Sequence, residues 1–119
     1  MSTPRLADYL QHILTATERI NEYTATLSEE TFLADELVQD AVIRNIEIIG
    51  EASNRIGMRH PEFVVAHPEI PLSSAYQMRN AVAHGYFEVD LEVVWATVIA
   101  DLPRLAEQVR SALREFSAN

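Results

Sequence analysis

The sequence of 119 residues has its most reactive combination of side chains between residues 78 and 87. An arginine, an amide, an imidazole and a phenol lie close together there, at Arg79, Asn80, His84 and Tyr86. Arg79 carries a permanent positive charge and can hold two phosphate oxygens by parallel hydrogen bonds. His84 can accept and donate a proton near neutral pH. This stretch is the first candidate for a catalytic or binding site.

These groups suit the cleavage of RNA without a metal ion. In that reaction a base removes the proton of a ribose 2′-hydroxyl, an acid protonates the leaving oxygen, and a guanidinium stabilises the charge at phosphorus. A structural role also fits, because Arg79 would pair with one of the many carboxylates and His84 would cap the end of a helix. The residue types alone leave both interpretations open.

The spacing between Arg79 and His84 raises a geometric difficulty. Five positions correspond to about 140° around an ideal α-helix, so the two residues do not share a face. They converge if the helix unwinds after Ala83, or if two copies of the chain bring their motifs together in a dimer.

The rest of the sequence lacks the common signatures of other enzymes. It has no glycine-rich phosphate loop, no G-x-S-x-G segment and no H-E-x-x-H pair. It has no cysteine, which excludes disulfides, thiolate catalysis and zinc sites with sulfur ligands. His12, His60 and His67 are not spaced as ligands on one helix face, and we predict surface or loop positions for them.

The charge balance limits the kinds of partner that the chain can bind. Acidic residues outnumber basic ones by 18 to 9, every basic residue is an arginine, and the formal net charge is −9. This balance excludes a broad basic face for nucleic acid, but it allows a narrow site lined by arginines. No apolar run reaches the roughly eighteen residues of a membrane span, and residues 1–5 do not resemble a signal peptide. We therefore expect a soluble cytoplasmic protein.

Hydrophobic periodicity predicts four main helices. They cover residues 4–26, 35–57 and 73–84, and a last helix runs from about Leu91 to Phe116. Short helical turns are expected around Phe32 and Leu33 and at residues 62–66. In the last helix the apolar positions repeat in steps of four and three, as in helices that pack in bundles. The prediction is an all-α, up-and-down bundle that forms one domain over residues 1–119.

Three residues predict local features of these helices. Gly50 lies inside the second helix, where it costs about 1 kcal/mol relative to alanine, and this indicates a close approach by a neighbouring helix. Gly57 is expected to end the same helix. Pro103 cannot donate a hydrogen bond to the carbonyl of Ile99, so a kink is expected in the last helix.

Around the arginine, the sequence resembles the HEPN superfamily, specifically the HepT-type toxins of prokaryotic toxin–antitoxin pairs. The family motif reads R-x-x-x-x-H-x-Y, and Arg79, His84 and Tyr86 fill it, with the polar Asn80 after the arginine. The segments I-G-E-A at 49–52 and D-L-P at 101–103 are also similar to segments of that family. The resemblance covers nearly the whole chain, and the family fold agrees with the predicted bundle.

The resemblance implies a metal-independent endoribonuclease, without a cofactor, that forms a homodimer in which two motifs line one cleft. Arg79 and His84 would then be catalytic, and Asn80 would support them. The implied partner is a minimal nucleotidyltransferase antitoxin, which uses ATP and magnesium to attach AMP to the motif tyrosine, here Tyr86. The bulky, anionic AMP would block and repel RNA phosphates. Without the resemblance, Tyr86 is explained as an aromatic residue that packs beside Phe87.

Two other functions fit the same bundle. One is a helical module that docks and regulates a nucleotidyltransferase without cleaving RNA. The other is a nucleotide-binding adaptor in which Arg79 holds a mononucleotide. The presence of both Arg79 and His84 favours the ribonuclease, because a docking surface needs neither residue.

Overall fold

The structure is a computed structural model that describes residues 5–84 and 89–118, and both stretches are almost entirely helical. The helices are Leu6–Thr24 (α1), Glu29–Leu33 (α2), Glu36–Arg59 (α3), Pro61–Ala66 (α4), Leu72–His84 (α5), Leu91–Ala96 (α6) and Leu102–Ala118 (α7). No β-strand occurs within the two described stretches. This architecture confirms the predicted all-α bundle, in which α1, α3, α5 and α7 are the long helices.

Short polar side chains fix the starts of three helices. Ser28 accepts a hydrogen bond from a backbone N–H in the first turn of α2 at 3.2 Å. Asp35 does the same for α3 at 3.1 Å, and Asp90 for α6 at 3.0 Å. Each cap satisfies a donor that has no partner inside its own helix. The cap at Asp35 separates the predicted short helical turn around Phe32 from the long helix that follows it.

The prediction that Gly57 ends the second long helix is wrong. Gly57 lies inside α3, does not adopt a positive φ, and has open space where a Cβ would stand. The helix continues to Arg59, and the chain leaves it at His60, where φ is −134° and ψ is 57°. His60 precedes Pro61, and a residue before proline is disfavoured in the helical conformation. The proline, and not the glycine, therefore sets this boundary.

The core forms where the apolar faces of the long helices meet. α3 packs against both α1 and α5, and α1 also packs against α7. The buried apolar side chains of these three contacts include Leu10, Ile13 and Ile20 of α1, Val42, Ile46, Ile49 and Ile56 of α3, and Leu105, Val109 and Ala112 of α7. Because α3 contacts helices on two sides, its wide apolar surface is covered, as expected for a central helix of a bundle.

The last predicted helix contains an irregular turn. Residues from Thr97 to Asp101 are π-helical, and the N–H of Leu102 donates to the carbonyl of Thr97. α7 then begins at Leu102, directly after the π-helical turn, so Pro103 lies inside a continuous helical stretch and its missing N–H interrupts the ladder of helical hydrogen bonds there. The irregularity expected from Pro103 thus takes the form of a wider turn just before it.

A helix that crosses a membrane must be both long and apolar. None of the helices in the described ranges is long and apolar enough to cross a lipid bilayer.

Candidate functional site

The site is built where α5 crosses α3 at Gly50. A Cβ at position 50 would overlap the Cβ of Arg79, lie 2.7 Å from its Cγ, and stand 3.0 Å from the carbonyl oxygen of Ala75. Only a hydrogen atom fits in this space. The close approach that was predicted from Gly50 is therefore confirmed, and the residue that approaches is Arg79 itself.

The guanidinium of Arg79 is held by two neighbours. Its Nη1 donates to Oδ1 of Asn80 at 3.0 Å, and its Nη2 lies 3.8 Å from Oε2 of Glu51. The Arg79 side chain is 31% exposed, while its Nε is buried and has no hydrogen-bond partner among the described residues. The group is thus oriented from the protein side, and it keeps an unused donor and an exposed edge.

Glu51 links two arginines. Besides Arg79, it accepts a hydrogen bond from Nε of Arg55 at 3.1 Å. One carboxylate on α3 therefore orients a guanidinium from α5 and another from its own helix. Because both partners of the Arg55–Glu51 pair are about half-exposed, the pair contributes little stability, on the order of 0–1 kcal/mol.

A groove lined by α1, α3 and α5 lies next to Arg79, with a volume of about 700 Å³. Its charged lining residues are the arginines Arg44, Arg55, Arg59 and Arg79 and the glutamates Glu47 and Glu51, and we call it the arginine groove. Tyr9 and His12 of α1 complete one wall. Four of the nine arginines of the chain meet here, so the groove has a positive excess although the whole chain is strongly acidic.

Two of the predicted site residues, His84 and Tyr86, have side chains that lie outside the described residues. His84 is the last residue of α5, and the structure describes its backbone but not its side chain. Gly85 and Tyr86 lie outside the described residues. The helix is regular up to His84, so positions 79 and 84 lie about 140° apart around its axis. The structure therefore brings together Arg79 and Asn80, and adds Glu51 and Arg55 to them.

The other three histidines lie at surface or loop positions, as predicted. His12 is exposed on α1, and His60 lies between α3 and α4. His67 lies in the loop after α4, with its ring stacked on Phe63 at 4.5 Å. Among the described residues, no three His, Asp or Glu side chains cluster in the way that metal ligands do.

His67 connects the loop before α5 to α7. Its Nδ1 lies 2.9 Å from Oε1 of Glu69, and its Nε2 lies 3.5 Å from Oε2 of Glu115. The hydrogen bond from His67 lowers the pKa of the Glu69 carboxyl below its ordinary value. This contact ties down the chain just ahead of the helix that carries Arg79.

One known protein family matches most of the chain. The profile of the family described as "Ribonuclease HepT-like" matches residues 13–112, which includes α3, α5 and most of α7. The chain belongs to the HepT-like family.

Three relatives show how far the similarity of this HepT-like chain extends. A protein of Thermococcus cleftensis named "Probable ribonuclease HepT" is 47% identical over 98 residues, which are 82% of this chain and 86% of that protein. A "Putative RNase" of Caldanaerobacter subterraneus is 35% identical over 115 residues, 97% of this chain and 98% of that protein. No solved structure matches the chain.

One relative is much longer than this HepT-like chain. A protein of Methanocaldococcus jannaschii named "Gamma-glutamylcyclotransferase and putative RNase" is 40% identical over 111 residues. These residues are 93% of this chain and 49% of that protein, so the chain spans about half of its length.

The types and local spacing of the residues did not predict that Glu51 and Arg55 would lie at the candidate site. Both lie on α3, far in sequence from Arg79, and a charged residue on a helix is usually explained by solvation. Glu51 directly follows Gly50, the glycine that predicts a close helix contact. A charged residue beside such a glycine is the signal that could have identified it.

Proposed function

We propose that this HepT-like chain is a metal-independent endoribonuclease and the toxin of a toxin–antitoxin pair. Arg79 is the observation that supports the proposal: its guanidinium is oriented by Glu51 and Asn80, the side chain is partly exposed, and it lines an arginine groove in an acidic protein. Membership of the HepT-like family and the ribonuclease names of its relatives support the same activity. RNA is the proposed substrate, and the cytoplasm is the proposed location.

In the proposed reaction, an imidazole of His84 accepts the proton of a ribose 2′-hydroxyl. The 2′-oxygen attacks the adjacent phosphorus, and the bond from phosphorus to the 5′-oxygen breaks. The 5′-oxygen then takes a proton from a second group, which acts as the acid. Arg79 stabilises the negative charge that builds up on the phosphoryl oxygens. The products are a 2′,3′-cyclic phosphate and a free 5′-hydroxyl, so no water or metal ion enters the cleavage step.

The need for both a base and an acid supports a homodimer. Positions 79 and 84 lie about 140° apart around one helix, and one chain offers a single motif histidine. A symmetric dimer would place two copies of each motif residue around one cleft. One His84 would then act as the base and the other as the acid. An Arg79 would face the phosphate in either orientation of the RNA strand.

Cleavage of a labelled single-stranded RNA by the purified chain, with excess EDTA present, tests the ribonuclease activity. We expect Arg79→Ala and His84→Ala each to lower the cleavage rate at least about 100-fold, because each removes a group that acts in the transition state. Arg79→Lys keeps the charge and the packing over Gly50 but loses the fork of donors, and should also be slow.

Arg114→Ala is the matched control for this assay, since it removes an arginine that is 63% exposed on α7. It should cleave like the wild type and leave 2′,3′-cyclic phosphate ends. Equal cleavage by the wild type and His84→Ala would contradict the proposal, as would 5′-phosphate ends.

We further propose that a minimal nucleotidyltransferase antitoxin silences the enzyme through Tyr86. The phenol oxygen attacks the α-phosphorus of ATP, with magnesium held by the partner, and pyrophosphate leaves. The added AMP places a negative charge two residues from His84, where it would compete with RNA phosphate. Because Tyr86 stands two residues after the motif histidine in the sequence, the modified side chain starts close to the proposed reacting groups.

Intact-mass measurement after incubation with the partner nucleotidyltransferase and magnesium ATP tests this modification. We expect a gain of one or more AMP units, loss of RNA cleavage, and neither effect in Tyr86→Phe. Tyr76→Phe, which alters a half-buried tyrosine of α5, is the control and should be modified like the wild type. An AMP gain that persists in Tyr86→Phe would reject Tyr86 as the acceptor.

A further inference from the structure

We propose that the arginine groove binds the ribose–phosphate backbone of single-stranded RNA beside the bond that Arg79 serves. This inference rests on the proposed ribonuclease function and extends its site from one guanidinium to a surface along α3. It assigns strand binding to Arg44, Arg55 and Arg59, which the R-x-x-x-x-H-x-Y motif does not include.

The spacing of the arginines fits a chain of phosphates. Arg55 and Arg59 are one helical turn apart, which is about 6 Å along α3, and Arg44 lies about 16 Å from Arg55 along the same axis. All of them line one groove with Arg79. A mononucleotide concentrates its charge at one end and cannot reach such separated cations. A strand, which repeats a phosphate at every nucleotide, can contact several of them at once.

The guanidinium groups in the groove are available to a ligand. Arg59 has no ion-pair partner among the described residues, and Arg44 is 71% exposed while it lies 3.7 Å from Glu47. Exposed pairs of this kind are worth on the order of 0–1 kcal/mol, so a phosphate can replace the carboxylate. The groove also has the positive excess in a chain of net charge −9, and the rest of the surface therefore repels RNA toward it.

The wall of the groove favours a single strand over a duplex. His12 is exposed on α1, and its ring packs edge-on against the buried Tyr9 at 6.4 Å, which limits its motion. Unpaired bases stack on flat side chains of this type, whereas the bases of a duplex are covered by their neighbours. The groove is also bounded by α1, α3 and α5, while proteins that bind duplex RNA contact successive minor grooves over a wide surface.

Binding of a fluorescent single-stranded RNA to full-length chain carrying His84→Ala, which keeps the RNA intact, tests the groove. We expect Arg55→Gln/Arg59→Gln to weaken binding about tenfold at low salt and to lower the slope of log K against log salt by about 1.4, or about 0.7 for each lost phosphate contact. Arg44→Gln alone should lower the slope by about half as much. The same RNA annealed to its complement should bind more weakly than the single strand.

The matched control is Arg110→Gln/Arg114→Gln. This pair is also one helical turn apart, lies beside Glu107, and lowers the net charge by the same amount on α7. It should bind RNA like the parent. An equal loss in both pairs would show a general charge effect and overturn the proposal, as would equal or tighter binding of the duplex.

The groove and the ribonuclease function can fail separately in this design. If the wild type cleaves RNA and the Arg55/Arg59 pair binds and cleaves as well as the wild type, the groove proposal is wrong and the ribonuclease function stands. If the wild type does not cleave RNA but the pair still loses binding selectively, the groove proposal stands and the ribonuclease function is wrong. Unchanged RNA binding in all variants, with loss of binding to an acidic protein partner, would assign the groove to that partner and overturn the proposal.

Discussion

Helix α3 buries two surfaces that differ in what they contribute. One is the apolar stripe that includes Val42, Ile46 and Ile56, which are at most 3% exposed. The other is the contact at Gly50, where a glycine in a helix interior leaves room for Arg79, and where the buried Nε of Arg79 has no hydrogen-bond partner in the part of the chain that the structure describes. The first surface stabilises the bundle by removing apolar area from water. The second gives up stability, since a helical glycine and an unsatisfied donor both cost free energy, and in return it positions a cation.

This difference indicates where function lies in the bundle. A protein selected only for stability would fill position 50 with a side chain and would pair the buried donor. The Gly50–Arg79 contact has neither feature: position 50 carries no side chain, and the buried Nε of Arg79 is unpaired among the described residues. Substitutions on the apolar stripe should therefore alter the free energy of unfolding, whereas substitutions at the contact should alter activity out of proportion to stability.

The largest expected change in stability is that of Ile56→Ala on the apolar stripe. Ile56 is fully buried, and its truncation should lower the free energy of unfolding by about 2–5 kcal/mol in urea denaturation. Leu37→Ala on the same helix, at a residue that is 80% exposed, should change it by no more than about 0.5 kcal/mol. RNA cleavage per folded molecule should be unchanged in both. A selective loss of cleavage in Ile56→Ala would remove the contrast between the two surfaces.

An intermediate change is expected for Gly50→Ala. The new methyl group would overlap Arg79, and such overpacking costs about 1–3 kcal/mol and displaces the guanidinium. Cleavage should fall by an order of magnitude or more. Gly57→Ala provides the control on the same helix, because nothing lies within 4 Å of its added Cβ, and it should raise stability by about 0.5–1 kcal/mol. A Gly50→Ala protein as stable and active as Gly57→Ala would mean that the contact does not constrain Arg79.

The smallest change in stability is expected for Glu51→Gln. Its pairs with Arg55 and Arg79 are partly exposed, so the loss should be under about 1 kcal/mol. Removing this carboxylate also removes a negative charge from the arginine groove, so RNA should bind more tightly and KM should fall. kcat should fall as well, because Arg79 loses the group that orients it. A purely structural role for Glu51 would leave both constants unchanged.

The sequence predicted the fold well because helices leave a periodic record. The long helices and the short turn around Phe32 follow from apolar spacing and from capping residues such as Ser28 and Asp35. The error comes from a residue type that occurs both at helix ends and inside helices. Glycine is typical of a helix end, but α3 continues past Gly57 and ends only at His60, the residue before Pro61.

The site was predictable only in part, for a related reason. Arg79, Asn80, His84 and Tyr86 are close in sequence, so a local motif can show them. Glu51 belongs with Arg79 only because two helices cross at Gly50, and no local pattern records which helices cross. The charge balance likewise allowed a narrow site lined by arginines, but which arginines line it depends on how α3 lies beside α5.

The space shared by Gly50 and Arg79 also has a consequence for how such genes change over generations. Any mutation that adds a side chain at position 50 competes for volume with the Cβ of residue 79 and with the carbonyl oxygen of Ala75. Every residue except glycine carries a Cβ, so a gene copy that exchanges the arginine for another residue still requires glycine at position 50. Among descendants, the glycine is therefore expected to outlast the arginine, and copies that keep the glycine alone would still have the close helix crossing without its cation.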